Sequence, residues 1–457
     1  MPASGGPEAV SLTRKRAEEI FATAAGVGRS VGVRDLEVMI GAGTQALTRF
    51  ANNAIHQNMA ERSSYVSVRA LENGRTARAS TNRLDPDGIR RAVEQAIEIA
   101  RSQAPDPALL PLAEAAEYAS VERYFRRTAF VTPDERARAV CEAIRVVEAE
   151  SQTAAGFYST GESAFAILNT NGVFGYHAET MAAFSITAMA EDSSGWAKES
   201  SCDAVDLDPC QLAQTAARKA HRSRRPAQIL PGRYTVILEP AAVLDLVGQL
   251  AADFSGTAIR DERSFLTGRM GQKLFGANIS ISDDCKHPLQ SGAAFDGEGV
   301  PRQSVALVEN GAVRNVVYSR QAALRAGVKP TGHGLPVPND SGEAPGNIVI
   351  AGGEASVDGM IASTDRGILV TRVWYIREVD PYQKIMTGMT RDGTFLVEGG
   401  ELTRGVKNLR FNQNLVELLA NVEALSASVR ASGEEAPDMV VPAMKVRDFN
   451  FTEVTRF

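Results

Sequence analysis

Residues 234–256 read as a buried strand running straight into an apolar helix. The opening Tyr-Thr-Val-Ile-Leu is rich in strand-forming side chains, and Pro240 stands at the helix start, where a missing N–H costs nothing. A strand that delivers a helix into a domain interior is a common place to mount a metal site. This helix carries Leu244, Asp245 and Gln249, but neither His nor Cys. The five histidines of the chain, His56, His177, His221, His287 and His333, lie too far apart for any two to share a helix turn. With 457 residues the chain has room for two to four domains and large cores.

Charge and cysteine usage narrow the classes. The net charge of −6 and the pI near 5.6 argue against nucleic acid as the main partner, because phosphate binding needs a basic stripe. The basic run at 221–225 follows a helical stretch and reads as a solvated helix end complementing the dipole. Cys141, Cys202, Cys210 and Cys285 form no Cys-x-x-Cys and suit free thiols in a reducing cytosol. Residues 1–18 lack an apolar signal core, and there is no apolar stretch of about 18 residues to span a membrane. The expectation is a cytoplasmic protein that meets neither membrane nor nucleic acid.

The pattern predicts an α+β protein of three units, 1–110, 111–230 and 231–457. Residues 1–9 read as a disordered tail. In the first unit a helix is expected over 12–25, strands over 35–40, 46–50, 64–71 and 75–81, and an amphipathic helix over 86–101, with Asn73-Gly74 as a hairpin turn. Residues 102–116, with Pro105, Pro107 and Pro111, read as a linker. The second unit starts a helix at Thr132-Pro133, with Thr as cap. Strands follow at 154–159, 163–169 and 173–190, then a helix over 208–223. These two units form an N-terminal α/β part, with antiparallel meanders and flanking helices.

The third unit is strand-rich, and a large twisted antiparallel sheet is expected. Hairpins are expected at 304–318 and 394–406, a long strand at 368–379 with Trp374-Tyr375-Ile376 buried, a helix at 412–422 and a terminal strand at 444–451.

Several chemistries fail on residue types. A zinc peptidase helix needs two imidazoles on one face with a nearby Glu base, and His-Glu-x-x-His is absent. Cys285 and His287 could contribute to a metal, but the run 283–287 more commonly ends a strand and turns at His287-Pro288. There is no Gly-x-Ser-x-Gly elbow, no Walker spacing and no dinucleotide fingerprint. The loop Phe295-Asp296-Gly297-Glu298-Gly299 holds two acids. It reads either as a tight turn in which Asp collects backbone N–H groups or as a cleft lining.

A family resemblance emerges from the order of these segments. The strand and helix at 236–256 lead to Arg263-Ser264-Phe265-Leu266-Thr267-Gly268-Arg269-Met270-Gly271-Gln272. Ile281-Ser282-Asp283-Asp284, Phe295-Asp296-Gly297-Glu298-Gly299, Thr331-Gly332 and Gly388 follow. Upstream, residues 49–57 with Asn82 and the run Asn169-Thr170-Asn171-Gly172 fit the same order. The chain thus resembles the TldD/PmbA (TldE) family, the modulators of DNA gyrase, over nearly its whole length after about residue 12.

The resemblance implies a two-subunit cytosolic zinc metallopeptidase whose cavity accepts unfolded peptide in extended form. In such a pair one subunit carries His-Glu-x-x-x-His, with the Glu as base, plus a late Cys ligand, and the TldE-type subunit lacks them. Here Val247-Gly248 fit the family helix. Leu244 stands at the first His, Asp245 at the Glu and Gln249 at the second His, and no Cys follows Cys285. The implied role is a TldE/PmbA-like subunit with no catalytic residue, metal or cofactor of its own. It would pair with a zinc-bearing TldD-type partner and bind an extended peptide. Phe295, Asp296, Glu298, His333 and Arg391 are its candidate cleft-lining residues. The alternatives are a stand-alone homodimer that binds peptides without cleaving them, and a peptidase with relocated ligands among Cys285, His287 and His333. Segments 373–377 and 390–393 depart from the best-known members.

Overall fold

A computed structural model describes residues 10–455, so the tail expected at 1–9 lies outside the described residues. The N-terminal part is one six-stranded sheet in the order β3-β2-β1-β4-β5-β6, antiparallel throughout. Its strands are β1 (Asp35–Ala51), β2 (Ala54–Glu72), β3 (Arg75–Thr81), β4 (Thr153–Asn169), β5 (Phe174–Met189) and β6 (Ser194–Ser201). The β1–β4 pairing carries the sheet across residue 110 without a break.

Helices α1 (Arg14–Ser30), α2 (Pro86–Ser102), α3 (Arg126–Ala129), α4 (Pro133–Ala149) and α5 (Pro209–Arg222) belong to this part. Thr132 caps α4 in a reciprocal box with Glu135, as its Thr-Pro-Asp-Glu start predicts. α1 and α2 bury Leu36, Val38 and Ile40 of β1, while α4 and α5 pack around Phe50. These are all even positions of one strand, so the four helices cover one face. On the other face Met39 and Ile167 meet Phe295 of the C-terminal half.

Two strand boundaries need correction. The expected pairs of strands at 35–40/46–50 and 154–159/163–169 are the single strands β1 and β4. Gly41 and Gly43 read as interruptions, but they are sites of close approach. A Cβ on Gly41 would lie 2.3 Å from the Tyr65 ring, and one on Gly43 would lie 2.6 Å from the Glu162 carbonyl oxygen. β2 also begins ten residues before the expected 64, because residues 54–63 are mostly exposed and carry no alternation.

The C-terminal half contains two further sheets. One has short strands: β8 (Ile281–Asp283), β9 (Val305–Glu309), β10 (Ala312–Val313), β11 (Ile348–Ile350), β17 (Val429–Ala431) and β18 (Met439–Val441). The other joins β7 (Gly232–Leu238), β12 (Arg366–Asp380), β13 (Ile385–Glu398), β14 (Glu401–Gly405), β15 (Leu409–Asn414), β16 (Val422–Leu425) and β19 (Met444–Val454). It is antiparallel except where β7 runs beside β12. α6 (Pro240–Val247) lies between the two sheets and is buried from Ala242 onward. Apart from Asp245 this helix is apolar all round, as suits such a core.

Two expectations fail here. Residues 412–422 are not one helix: Asn414 ends β15 and caps a short helix, Leu415–Ala420, with its side chain on the Glu417 N–H. On β12 only Ile376 of the aromatic run is buried. Trp374 is half-buried, and Tyr375 is 49% exposed with φ 56°, at an irregularity of the ladder. Among the described residues no helix is long and apolar enough to cross a membrane.

Candidate functional site

The strand β7 ends at Leu238, and Glu239-Pro240 turns the chain into α6. Leu244 is sunk in the apolar core between the sheets. Asp245, one residue on, is 0% exposed, and its carboxylate faces the loop at 433–436. Oδ1 accepts the N–H groups of Glu434 (3.2 Å), Glu435 (2.9 Å) and Ala436 (3.1 Å), and Oδ2 accepts that of Glu434 at 3.1 Å. The fit is tight: a Cβ on Gly433 would stand 2.1 Å from Oδ1. Burial pushes the Asp245 carboxyl up to about 6, against the N–H groups that favour its ionised form. Gln249 turns its amide back along the helix and donates to the Asp245 carbonyl oxygen at 3.2 Å.

These three positions do not fit zinc. Leu244 has no donor atom, the Asp245 carboxylate is already engaged by N–H groups, and the Gln249 amide is a poor ligand. Among the described residues no group of three or more His, Cys, Asp or Glu side chains is arranged to hold a metal.

The loop at 295–299 is a second buried centre. Asp296 Oδ1 accepts from Glu298 N–H (2.9 Å) and Val300 N–H (2.8 Å), and Oδ2 accepts from Gly334 N–H at 2.7 Å. This is the tight turn that the Gly-rich spacing suggests, closed onto a segment 38 residues away. Phe295 packs its ring 5.1 Å from Tyr118 and 5.8 Å from Phe165, which seats the loop on the N-terminal sheet. Glu298 accepts from the Arg320 N–H at 2.8 Å, and burial lifts its carboxyl to about 7.

His333 does not line a cleft. It is 1% exposed, with Nε2 2.9 Å from Asp283 and Nδ1 3.0 Å from Thr331. Asp283 also accepts from the N–H groups of Gly346 (2.6 Å) and Asn347 (2.8 Å). Burial works against its charge, but the His333 contact and these N–H groups hold its carboxyl below the usual range.

Cys285 and His287 lie in the turn after β8. Cys285 is buried, which raises its thiol, and the His287 ring accepts from Leu289 N–H at 3.3 Å. Arg391 stands apart from all of these, beside Asp392 in a separate cavity between the two halves of the molecule.

Sequence reasoning missed Glu343. Its buried carboxylate accepts from Ser255 Oγ (2.7 Å), Thr257 N–H (2.7 Å) and Ser319 N–H (3.1 Å). Those partners lie 24 to 88 residues away, so no local pattern could have shown it.

Three family descriptions match the chain in order. The PmbA/TldA metallopeptidase domain 1 matches residues 36–100, the central domain residues 105–224 and the C-terminal domain residues 231–453. A metalloprotease of Methanothermobacter thermautotrophicus is 26% identical over 60% of this chain, and the match spans 62% of that relative, less than two thirds of its length. The metalloprotease PmbA of Escherichia coli O157:H7 is 23% identical over 83% of this chain and 85% of its own. Among solved structures, TldE from Thermococcus kodakarensis superposes with a TM-score of 0.86 at 21% identity, covering 96% of this chain and 100% of that one. At that identity the likeness speaks for the fold.

Proposed function

Starting from the chain's membership of the PmbA/TldD metallopeptidase family, we propose that it is the metal-free, TldE/PmbA-like half of a two-subunit peptidase. In this reading it completes a cavity and helps to hold an extended peptide, while a zinc-bearing TldD-type partner carries out hydrolysis. The observation that carries the reading is Asp245. The carboxylate at the position of the family's base serves as an acceptor for three consecutive backbone N–H groups, beside a leucine at the position of the first ligand. A base without a metal-bound water has nothing to activate.

The outer edge of β2 supports the binding role. β3 pairs with β2 only from Val66 onward, which leaves residues 54–64 as a strand edge with no ladder partner on that side among the described residues. Such an edge accepts an added strand, from a peptide or from a partner.

The test is to purify the chain alone and together with a family member that carries His-Glu-x-x-x-His, then measure zinc and peptide cleavage. The expected result is no stoichiometric zinc and no cleavage for the chain alone, with co-purification and cleavage for the pair. One tightly bound zinc per isolated chain would overturn the reading. Peptide binding without any association with the partner would favour the stand-alone homodimer.

A further inference from the structure

On β12 and β13, Arg372 and Val373 lie opposite Arg391 and Thr390. The ladder there is irregular between Val370 and Arg372, and Arg372 pairs directly with Arg391. Asp392 adopts a left-handed backbone with φ 52°, and Gly393 follows with φ 124°. Irregularities of this kind re-aim side chains and gather beside functional sites. Here they set two guanidinium groups opposite each other, which like-charge repulsion disfavours.

The pair is only partly compensated. Asp392 bonds Arg372 through Nε at 2.9 Å, lies 3.6 Å from Arg391 and also accepts from the Ser194 hydroxyl. One carboxylate therefore serves two cations. The Trp374 ring lies 5.6 Å from Arg372 and 5.4 Å from Arg391, and Trp196 of β6 lies 4.9 Å from Arg372. Arg372 is thus fixed between two aromatic rings, while the Arg391 side chain remains 47% exposed.

Both arginines line a cavity of about 860 Å³ between the β5–β6 turn and the edge formed by β13 and the chain leading into β15. Arg225 and Lys407 add two more cations to its wall, and Asp192, the second carboxylate there, accepts the Arg225 backbone N–H at 2.9 Å. Four cations face two carboxylates. Thr394, on the same wall, has a buried hydroxyl with no hydrogen-bond partner. A concave, partly apolar space of this size with surplus positive charge has the composition of a small-ligand site.

We propose that this cavity binds a small, multiply charged oxyanion of phosphate or polycarboxylate type, held chiefly by Arg391 and Lys407. The proposal is independent of how α6 is read.

The test is isothermal titration calorimetry on the full chain at low salt, with pyrophosphate and citrate as probes. Saturable binding of either probe is expected, weakening as salt rises. Arg391→Gln and Lys407→Gln should each weaken it by about tenfold or more, while Lys15→Gln, on the exposed side of α1, should leave it unchanged. The tighter of the two probes identifies the oxyanion type. Both pocket variants alter exposed side chains, and circular dichroism checks that they remain folded. The proposal fails if neither probe saturates by about 5 mM, if Arg391→Gln binds like the parent, or if Lys15→Gln weakens binding equally.

Discussion

In the N-terminal sheet, long strands run side by side in continuous ladders: β4 and β5 pair from Thr153↔Met189 to Leu168↔Phe174, and four helices cover one face. In the C-terminal half many strands are only two to five residues long, and buried carboxylates close the loops between them. Asp245, Asp283 and Glu343 each collect two or more backbone N–H groups from distant segments, and Asp296 joins one distant N–H to two from its own turn. Ladders satisfy backbone groups by repetition. Clasps satisfy them one loop at a time, and each clasp depends on one side chain. The comparison bears on the proposed function, because Asp245, which the family resemblance sets at the position of a base, is one of these clasps.

The largest effect is expected at Asp283. Asp283→Ala strands the N–H groups of Gly346 and Asn347 and the buried His333 ring at once. Breaking a buried, hydrogen-bonded pair costs roughly 3–5 kcal/mol. Urea unfolding followed by tryptophan fluorescence should show that loss as a lower midpoint. A loss below about 1 kcal/mol would mean the loops hold without the clasp, and the contrast with the sheet would collapse.

Asp245 comes next. Asp245→Ala leaves the N–H groups of Glu434, Glu435 and Ala436 without their acceptor and should cost about 2–3 kcal/mol. Asp245→Asn keeps one carbonyl oxygen for them and should cost less. The pair of variants separates two roles. A clasp loses stability in proportion to its lost acceptors. A working base would instead keep its stability as Asn while peptide cleavage by the two-subunit complex collapsed.

This contrast also explains what the sequence revealed. The helices at 86–101 and 208–223 and the hairpin at Asn73-Gly74 stand within a residue or two of their expected places, because caps and periodicity are local. The Asp296 turn was legible for the same reason: Glu298 and Val300 are its near neighbours. Its second half, the bond from Gly334, was not. Neither was Glu343, nor the reach of Asp245 across 189 to 191 residues to a loop with no marked composition. His333 looked like a cleft residue because a histidine in a Gly-rich loop gives no sign of the aspartate that buries it. Leu244 and Gln249 were visible as poor zinc-binding residue types, but only the structure shows the three backbone N–H groups that Asp245 accepts.

Glu298 gives a pH-dependent test of the same contrast. Burial lifts its carboxyl to about 7, whereas an unfolded glutamate titrates near 4.3. The folded state therefore binds this proton more tightly than the unfolded chain. The contribution to stability is complete below about pH 4 and is lost as the pH rises to about 7. Glu298→Gln is neutral throughout and can still accept from the Arg320 N–H. Its Tm should fall less than that of the parent between about pH 5 and about pH 8. Parallel Tm curves for the two proteins would show that Glu298 is ionised in the fold at no cost.

The smallest effect is expected in the ladder region. Thr48 of β1 is fully buried, and its hydroxyl donates to the Asn58 side chain at 3.3 Å. By residue type it resembles the clasps, a buried polar group bonded across strands. Its backbone, however, is paired on both sides, to Asn58 of β2 and to Tyr158 of β4. Thr48→Val keeps the shape and removes only the hydroxyl, and the exposed Asn58 amide regains water. The cost should be about 1 kcal/mol or less, measured in the same urea titration as Asp283→Ala. If the two variants lost equal stability, the difference between ladder and clasp would not be one of mechanism. The buried, hydrogen-bonded Asp245 carboxylate would then need a role other than holding the loop at 433–436.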